Sequence, residues 1–285
     1  MKRIFYYLMI NIAVIAMTSL VLFVVQLAGV PIDTASMGGL LVFSIIIGFT
    51  GSVISLWISR WMALRSVDGR IIEVPQTEEE QWLVNTVACL SQEWGFKTPQ
   101  VAIYHSNDPN AFATGPTKNR SLVAVSSGLL NMMTRDEVKG VLGHEIAHIG
   151  NGDMVTMTLM QGVLNTFVVF FSRIIANIVE ERFELGGSAY IAVVIVLQIL
   201  FGLLASLILM WYSRRREYRA DVGSARHVGA SKMIASLRKL DRVTQQQPLP
   251  REINAFGITG SKDSIFSTHP SIENRILALQ GLKKI

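Results

Sequence analysis

Four long apolar runs dominate the pattern of hydrophobic and polar positions along the chain. They cover approximately residues 4–28, 40–61, 154–178 and 189–211. A helix needs about 20 apolar residues to cross a hydrocarbon core roughly 30 Å thick. The first two runs meet that requirement, so we predict two amino-terminal transmembrane helices within residues 1–65.

The third and fourth runs permit two interpretations. In the third run only about 19 residues separate Asp153 from Arg173, which is close to the lower limit for a span. Both runs could therefore form a buried helical hairpin of a soluble domain. They lack the polar stripe of an amphipathic helix, however, which favours two further transmembrane helices in residues 154–212.

Basic residues orient these helices. With four spans, Lys2, Arg3, Arg60, Arg65 and the basic residues of 214–219 all fall on the same side of the membrane. Positively charged loops remain in the cytoplasm. We therefore expect both termini and residues 66–153 to be cytoplasmic.

Residues 66–153 are more polar than the four apolar runs, and we expect them to form a compact cytoplasmic part. Thr77 with Glu80 and Thr134 with Glu137 have the spacing of helix capping boxes. The first predicts a helix that ends near Gly95, and the second a helix that runs to Ile149. Between the two helices, residues 100–104, 111–114 and 122–126 are strand candidates. Residues 213–285 are predicted to be helical to about residue 244, followed by a polar linker at 245–262 and a final helix at 271–282.

The amino-acid composition favours a membrane protein and argues against a protein that binds nucleic acid or nucleotides. Of the 285 residues, 50% are hydrophobic and 16% are charged, whereas soluble domains contain about 25% charged residues. The net charge of +5 is concentrated beside an apolar run, where it suits anionic lipid headgroups rather than nucleic acid. A single cysteine, Cys89, excludes an internal disulfide. The phosphate-binding motif G-x-x-x-x-G-K-[ST] is absent from the sequence, so we expect no nucleotide.

The second predicted helix of the cytoplasmic part contains His144-Glu145-Ile146-Ala147-His148. Histidines four residues apart lie on one helix face, one turn apart, so both imidazoles can bind the same ion. Glu145 points to the open side, where it can reach a water molecule. This pattern is typical of zinc peptidases, and we expect one zinc ion per subunit.

A catalytic zinc needs a third protein ligand. Glu217 is a candidate, and Asp221 follows it one helical turn later. Asp221 could accept the other N–H of a metal-bound imidazole. The alternative is that both acids pair with neighbouring arginines on a solvated helix face, and spacing alone does not decide between these possibilities.

The sequence around these motifs resembles the HtpX family of bacterial membrane-bound heat-shock metalloproteases, which is related to the CAAX-prenyl endopeptidases. The resemblance covers nearly the whole chain, and its motifs comprise Asn110-Ala-Phe-Ala-Thr-Gly115, Gly143-His-Glu-Ile-Ala-His-Ile-Gly-Asn-Gly-Asp153, Ser213-Arg-Arg-Arg-Glu-Tyr-Arg-Ala-Asp221 and Thr268-His-Pro-Ser271 with Arg275. It implies zinc ligands at His144, His148 and Glu217 and catalysis by Glu145. It also implies that Asp221 forms a hydrogen bond with a zinc-binding histidine. It also implies a mainly α fold with a small β-sheet: a zincin-like metalloprotease domain attached to transmembrane helices of the bacterial inner membrane.

Two further sets of residues are candidates for contact with the reacting groups. His269 and Arg275 could stabilise the oxyanion, although a helix N-cap region with a surface His and Arg is the alternative. Residues Asn110, Ala111, Phe112 and Ala113 could form an edge strand that pairs with an extended substrate, and the alternative is an ordinary strand and turn.

The resemblance implies that the enzyme hydrolyses misfolded or damaged membrane proteins under stress. The juxtamembrane position of His148 and Glu217 agrees with such substrates. A CAAX-type processing protease and a non-enzymatic zinc-stabilised holdase are the alternatives. An intramembrane protease is disfavoured because Arg135, Asp136, Glu137 and Lys139 precede the His144–His148 motif.

Overall fold

A computed structural model of the chain describes residues 2–30, 32–184, 186–246 and 268–282. The helices are α1 Lys2–Leu27, α2 Met37–Val67, α3 Glu78–Glu93, α4 Ser127–Met132, α5 Arg135–Asn151, α6 Asp153–Phe183, α7 Gly187–Ser224, α8 Ala230–Gln246 and α9 Ile272–Leu282, with a π-helical turn at Ala225–Gly229. The strands are β1 Arg70–Ile71, β2 Gln100–Tyr104, β3 Ala111–Thr117 and β4 Arg120–Ser126. The contacts divide the chain into two compact units: Met1–Leu56 with Thr156–Leu209, and Trp57–Val155 with Met210–Ile285.

The first unit contains long apolar helices. Within the described ranges, three helices are long and apolar enough to cross a membrane: Met37–Val67, Asp153–Phe183 and the continuous helix from Gly187 to Val243. These helices coincide with the second, third and fourth predicted runs, and that they cross a membrane remains a prediction. For α1, residues Ile12–Leu27 form a shorter apolar helix, so a span there remains a prediction.

Small residues allow α2 and α6 to approach closely within this unit. A Cβ atom on Gly48 would collide with Thr166, and one on Gly162 would lie 2.6 Å from the ring of Phe49. Such contacts are favoured between transmembrane helices because apolar side chains gain little by leaving lipid for one another, and close backbone packing supplies the attraction instead.

The second unit is built around a mixed β-sheet. In the part of the chain that the structure describes, the strand order is β1-β2-β4-β3, with β2 parallel to β4 and the other two pairs antiparallel. Strand β3 therefore lies at one edge. The side chains of Val101, Val123 and Val125 contribute to the main hydrophobic core, together with residues of α3, α5 and α8. The sheet thus forms a platform on which α5 is packed.

Small residues also bring other helices close to α5. A Cβ atom on Gly143 would lie 2.7 Å from Ser224 Oγ, and one on Gly150 would collide with the indole of Trp94. Ser224 Oγ donates a hydrogen bond of 2.9 Å to the carbonyl of Gly140. The carboxyl-terminal part of α7 is therefore held against the helix that carries the two histidines.

The predicted secondary structure of this unit is confirmed with small shifts. Strand β2 has the predicted bounds, whereas β3 extends beyond the predicted residue 114 because it continues into a tight connection with β4. The side chain of Thr77 caps α3 by accepting a hydrogen bond from the N–H of Glu80. The predicted linker lies outside the described residues, apart from positions 245 and 246, which belong to α8.

Candidate metal centre

Helix α5 is fixed at both ends. At its start, Thr134 and Glu137 form the predicted capping box, in which each side chain accepts a hydrogen bond from the other residue's backbone N–H. At its end, Gly152 adopts a left-handed conformation with φ of 70° and donates its N–H to the carbonyl of His148. Lys118, in the connection between β3 and β4, donates to the carbonyl of Gly150 at 2.5 Å. A cation at this position also favours the negative end of the helix dipole.

The two histidines and Glu217 converge on one point. The Nε2 atoms of His144 and His148 are 3.1 Å apart. Glu217, from α7, places Oε2 at 3.3 Å from Nε2 of His144 and Oε1 at 3.4 Å from Nε2 of His148. All three side chains are buried, and together they could hold a metal ion.

The opposite ring nitrogens face carboxylates. Nδ1 of His144 lies 3.0 Å from Oδ1 of Asp221, and Nδ1 of His148 lies 2.6 Å from Oδ2 of Asp153. A carboxylate accepts a hydrogen bond, so Nδ1 of each ring carries the proton. The Nε2 atom of a neutral imidazole is then an acceptor that can bind a metal.

This donor set fits a divalent cation. Two Nε2 lone pairs and a carboxylate that point at one another repel unless a positive charge lies between them. Both Glu217 oxygens are buried, and neither makes a hydrogen bond of normal geometry within the described residues. With metal–ligand bonds of about 2.0–2.1 Å, two corners of a tetrahedron are about 3.3 Å apart, close to the separations observed.

Glu145 lies beside this cluster and is also buried. Its carboxylate faces the backbone N–H of Ala113 in β3, which lowers the pKa of Glu145. Burial raises the pKa of Glu145, and the positive charges of His144 and His148 oppose that effect only in part. A carboxylate with a raised pKa is a stronger base and is suited to accept and return a proton.

Protons and a metal ion compete for the histidines. Burial alone would lower the pKa of His144, but the neighbouring carboxylates of Asp221 and Glu217 outweigh burial and raise the pKa to about 9. Burial also opposes the protonation of His148, while the charge of Glu217 and the hydrogen bond with Asp153 raise its pKa. The site therefore attracts positive charge strongly.

The structure brings the two predicted oxyanion candidates close to Glu217. Nδ1 of His269 lies 3.1 Å from Oε2 of Glu217. Arg275 is fully buried and donates two hydrogen bonds to Asp221, from Nε at 2.8 Å and from one terminal nitrogen at 2.6 Å. Its other terminal nitrogen lies 3.7 Å from Oε2 of Glu217.

Sequence reasoning missed Asp153 as a partner of His148. We assigned Asp221 to either histidine, and it lies on His144. The residue that contacts His148 comes five positions after it, directly behind the left-handed Gly152. A glycine that can end the helix in a left-handed conformation, directly followed by an acidic residue, is the signal that could have identified Asp153.

Taken together, the paired histidines on one helix, the distant glutamate and the adjacent buried Glu145 define a metallopeptidase. Three comparisons with known proteins agree. The model of peptidase family M48 matches residues 77–283. A protease HtpX homolog of Neisseria meningitidis serogroup B is 55% identical over 285 residues, which cover 99% of this chain and 100% of the relative. Protease HtpX of Idiomarina loihiensis is 51% identical over 286 residues, which cover 98% of this chain and 99% of the relative.

The chain belongs to peptidase family M48 and is a membrane-bound metalloprotease. The predicted resemblance and the predicted enzyme class are thereby confirmed. In addition, the crystal structure of Ste24p from S. mikatae aligns with a TM-score of 0.58 at 17% identity, covering 95% of this chain and 67% of that one. This likeness shows a shared fold, and it confirms the predicted mainly α architecture with a small sheet.

Proposed function

We propose that the protein is a zinc endopeptidase that degrades misfolded or damaged membrane proteins, with zinc held by His144, His148 and Glu217. The convergence of two Nε2 atoms and a carboxylate within 3.4 Å of one another carries this proposal. Nitrogen and carboxylate ligands in a three-residue set, which leaves a position for water, are typical of catalytic zinc. Asp221 and Asp153 would fix the ring orientations.

The chain supplies the proton transfers. When bound, zinc contributes a Lewis acid that activates water and polarises a carbonyl. Glu145 takes a proton from the attacking water and later delivers it to the amine that leaves. The raised pKa of Glu145 suits both steps, because the carboxylate must be basic enough to accept the proton and acidic enough to return it.

Strand β3 offers a binding edge for an extended substrate. Ser126 donates its N–H to the carbonyl of Asn110 at 2.9 Å, so residues 110 and 126 form a hydrogen-bonded pair. In an antiparallel ladder such pairs alternate. The backbone groups of Phe112 therefore point towards β4, and those of Ala111 and Ala113 point away from it. A substrate strand that adds to this edge would lie beside Glu145, since the N–H of Ala113 already reaches that carboxylate.

His269 and Arg275 contribute in different ways in this proposal. The imidazole of His269, which lies beside Glu217, would donate to the oxygen that becomes negative during attack on the carbonyl. Arg275 directs two hydrogen bonds to Asp221, which favours a role in holding the Asp221–His144 pair. Its contact with an oxyanion remains a prediction.

The connectivity of the chain supports membrane-protein substrates. Helix α6 begins at Asp153, five residues after His148, and Glu217 lies in the same helix as the apolar residues of the fourth run. Lipid contact follows from the apolar helices. We propose that the catalytic unit and both termini lie in the cytoplasm and that the helices cross the bacterial inner membrane, because the basic residues cluster on one side of the spans.

The decisive experiment compares the wild type with Glu145→Gln, both purified in detergent as full chains. We expect equal zinc content and loss of nearly all cleavage of an unfolded protein in the variant. A variant that cleaves at the wild-type rate would contradict the assignment of Glu145 and would favour a site in which zinc only stabilises the protein. Parallel assays with farnesylated peptides separate this function from CAAX-type processing.

A further inference from the structure

Asp153 connects one of the proposed zinc ligands to Arg219, a residue that has no role in the proposed proton transfers. Its side chain is completely buried, and its two oxygens have different partners. Oδ2 lies 2.6 Å from Nδ1 of His148, and Oδ1 accepts a hydrogen bond of 3.1 Å from a terminal nitrogen of Arg219. A buried carboxylate is costly without a compensating positive charge, and Arg219 supplies that charge.

Arg219 is held in place from its other side. It lies on α7, two residues beyond Glu217, and donates a hydrogen bond of 3.0 Å to the hydroxyl of Tyr212. Its guanidinium also lies 5.6 Å from the centre of the Tyr212 ring. The side chain is 53% exposed, so these contacts, rather than burial, determine where it points.

The same order of groups occurs at the other histidine. There Arg275 donates to Asp221, and Asp221 faces Nδ1 of His144 at 3.0 Å. Each imidazole of the site thus has a carboxylate on Nδ1, and each carboxylate has an arginine behind it. The two arrangements differ in exposure, because Arg275 is fully buried whereas half of Arg219 is open to solvent.

We propose that Asp153 and Arg219 are positioning residues that hold His148 in the tautomer and orientation needed to bind zinc. Asp153 accepts the hydrogen bond from Nδ1, so that Nε2 presents its lone pair to the metal, and Arg219 holds the Asp153 carboxylate in the orientation that this contact needs. The inference rests on the proposed zinc site. It adds that the start of α6 and the end of α7 jointly determine how tightly that site retains its metal.

The test measures zinc affinity by competition with a chromophoric chelator, using the full chain in detergent. We expect Asp153→Asn to weaken zinc binding by about 10–100-fold, the usual effect of removing such a partner. Arg219→Gln acts only through Asp153, so we expect a smaller loss of up to about tenfold. The double variant should bind zinc no more weakly than Asp153→Asn alone.

Arg215→Gln is the matched control. Arg215 is a neighbouring exposed arginine on α7 whose guanidinium lies over Trp211, at 5.3 Å from the ring centre. We expect it to keep wild-type zinc affinity. Thermal unfolding of the zinc-free proteins shows whether each variant folds. If Asp153→Asn does not fold, Arg219→Gln and Arg219→Lys still provide the comparison, and Lys should restore part of the affinity.

Peptide cleavage gives a second measurement. Because the side chains of Asp153 and Arg219 contact His148, each other and Tyr212, we expect KM to be preserved at saturating zinc and kcat to recover as zinc is added. Zinc affinities of both folded variants within twofold of the wild type would overturn the inference while leaving the zinc site intact. A wild-type chain that binds no zinc would instead overturn the proposed function, and the inference would fall with it.

Discussion

The backbone N–H of Ala113 faces the carboxylate of Glu145. This contact joins the edge of the sheet to the proposed catalytic base. In the proposed binding mode it would place an extended substrate next to the proton acceptor through backbone geometry, which does not depend on the side chain at position 113. This N–H also lowers the pKa of Glu145 against the effect of burial.

Ala113→Pro should therefore impair catalysis without unfolding the sheet. Proline removes the N–H that faces Glu145, while the ladder to β4 uses the neighbouring residues. We expect kcat/KM to fall roughly tenfold or more, as for a lost hydrogen bond to a charged group. The pKa of Glu145 should rise, so the acidic limb of the pH–rate profile should move to higher pH.

Phe112→Pro provides the contrast for that experiment. The backbone of Phe112 faces β4, so proline there removes a ladder hydrogen bond and should lower the temperature of unfolding. If Ala113→Pro and Phe112→Pro destabilise the protein equally, the alternation that we assign to β3 is incorrect.

Glu217→Gln should abolish tight zinc binding. The variant keeps the shape of the side chain but removes the negative charge that faces both Nε2 atoms. We expect a larger loss of zinc affinity than the roughly 10–100-fold that follows when a residue hydrogen-bonded to a metal ligand is replaced. Metal content after dialysis and circular dichroism of the same sample measure the loss and the fold. Retention of a full equivalent of zinc would argue against Glu217 as a ligand.

Zinc binding should become tighter as the pH rises from about 7 to 9. In the metal-free protein the pKa of His144 is raised to about 9, so near neutral pH zinc must displace a proton from this ring. Titration calorimetry in buffers of different ionisation enthalpy should detect proton release at pH 7. An apparent affinity that is constant between pH 7 and 9 would contradict this expectation.

The same shift makes the stability of the metal-free protein depend on pH. The pKa of His144 is higher in the folded state, about 9, than the value of about 6.5 for an unfolded chain. Its stabilising contribution is therefore fully present below about pH 6.5 and declines as the pH rises towards 9. The unfolding temperature of the zinc-free protein should fall over that interval, and saturating zinc should suppress the change.

Gly150→Ala should destabilise the catalytic unit. A Cβ atom there collides with the indole of Trp94, and overpacking of this kind typically costs about 1–3 kcal/mol. Gly202→Ala is the matched control, because nothing lies within 4 Å of its Cβ position. We expect that control to be neutral or slightly stabilising, since alanine favours a helix. Unfolding in detergent measures both variants.

Local patterns in the sequence were sufficient for most of the secondary structure and for part of the site. The spacing of His144 and His148 places both rings on one helix face, because a helix repeats every 3.6 residues. The Thr134–Glu137 box predicts where that helix begins, since its hydrogen bonds join residues three positions apart. Long apolar runs likewise predict membrane helices from length and composition alone.

Relationships between distant segments required the tertiary structure. The sequence spacing of Glu217 and Asp221 was equally compatible with a solvated helix face. The packing of α7 against α5 buries both residues beside His144 instead. The partner of His148 was not predicted, because a left-handed turn at Gly152 decides where Asp153 points. Arg219 and Ala113 acquire their partners only when separate elements come together. One-dimensional periodicity specifies which face a residue occupies, whereas only packing specifies what that face meets.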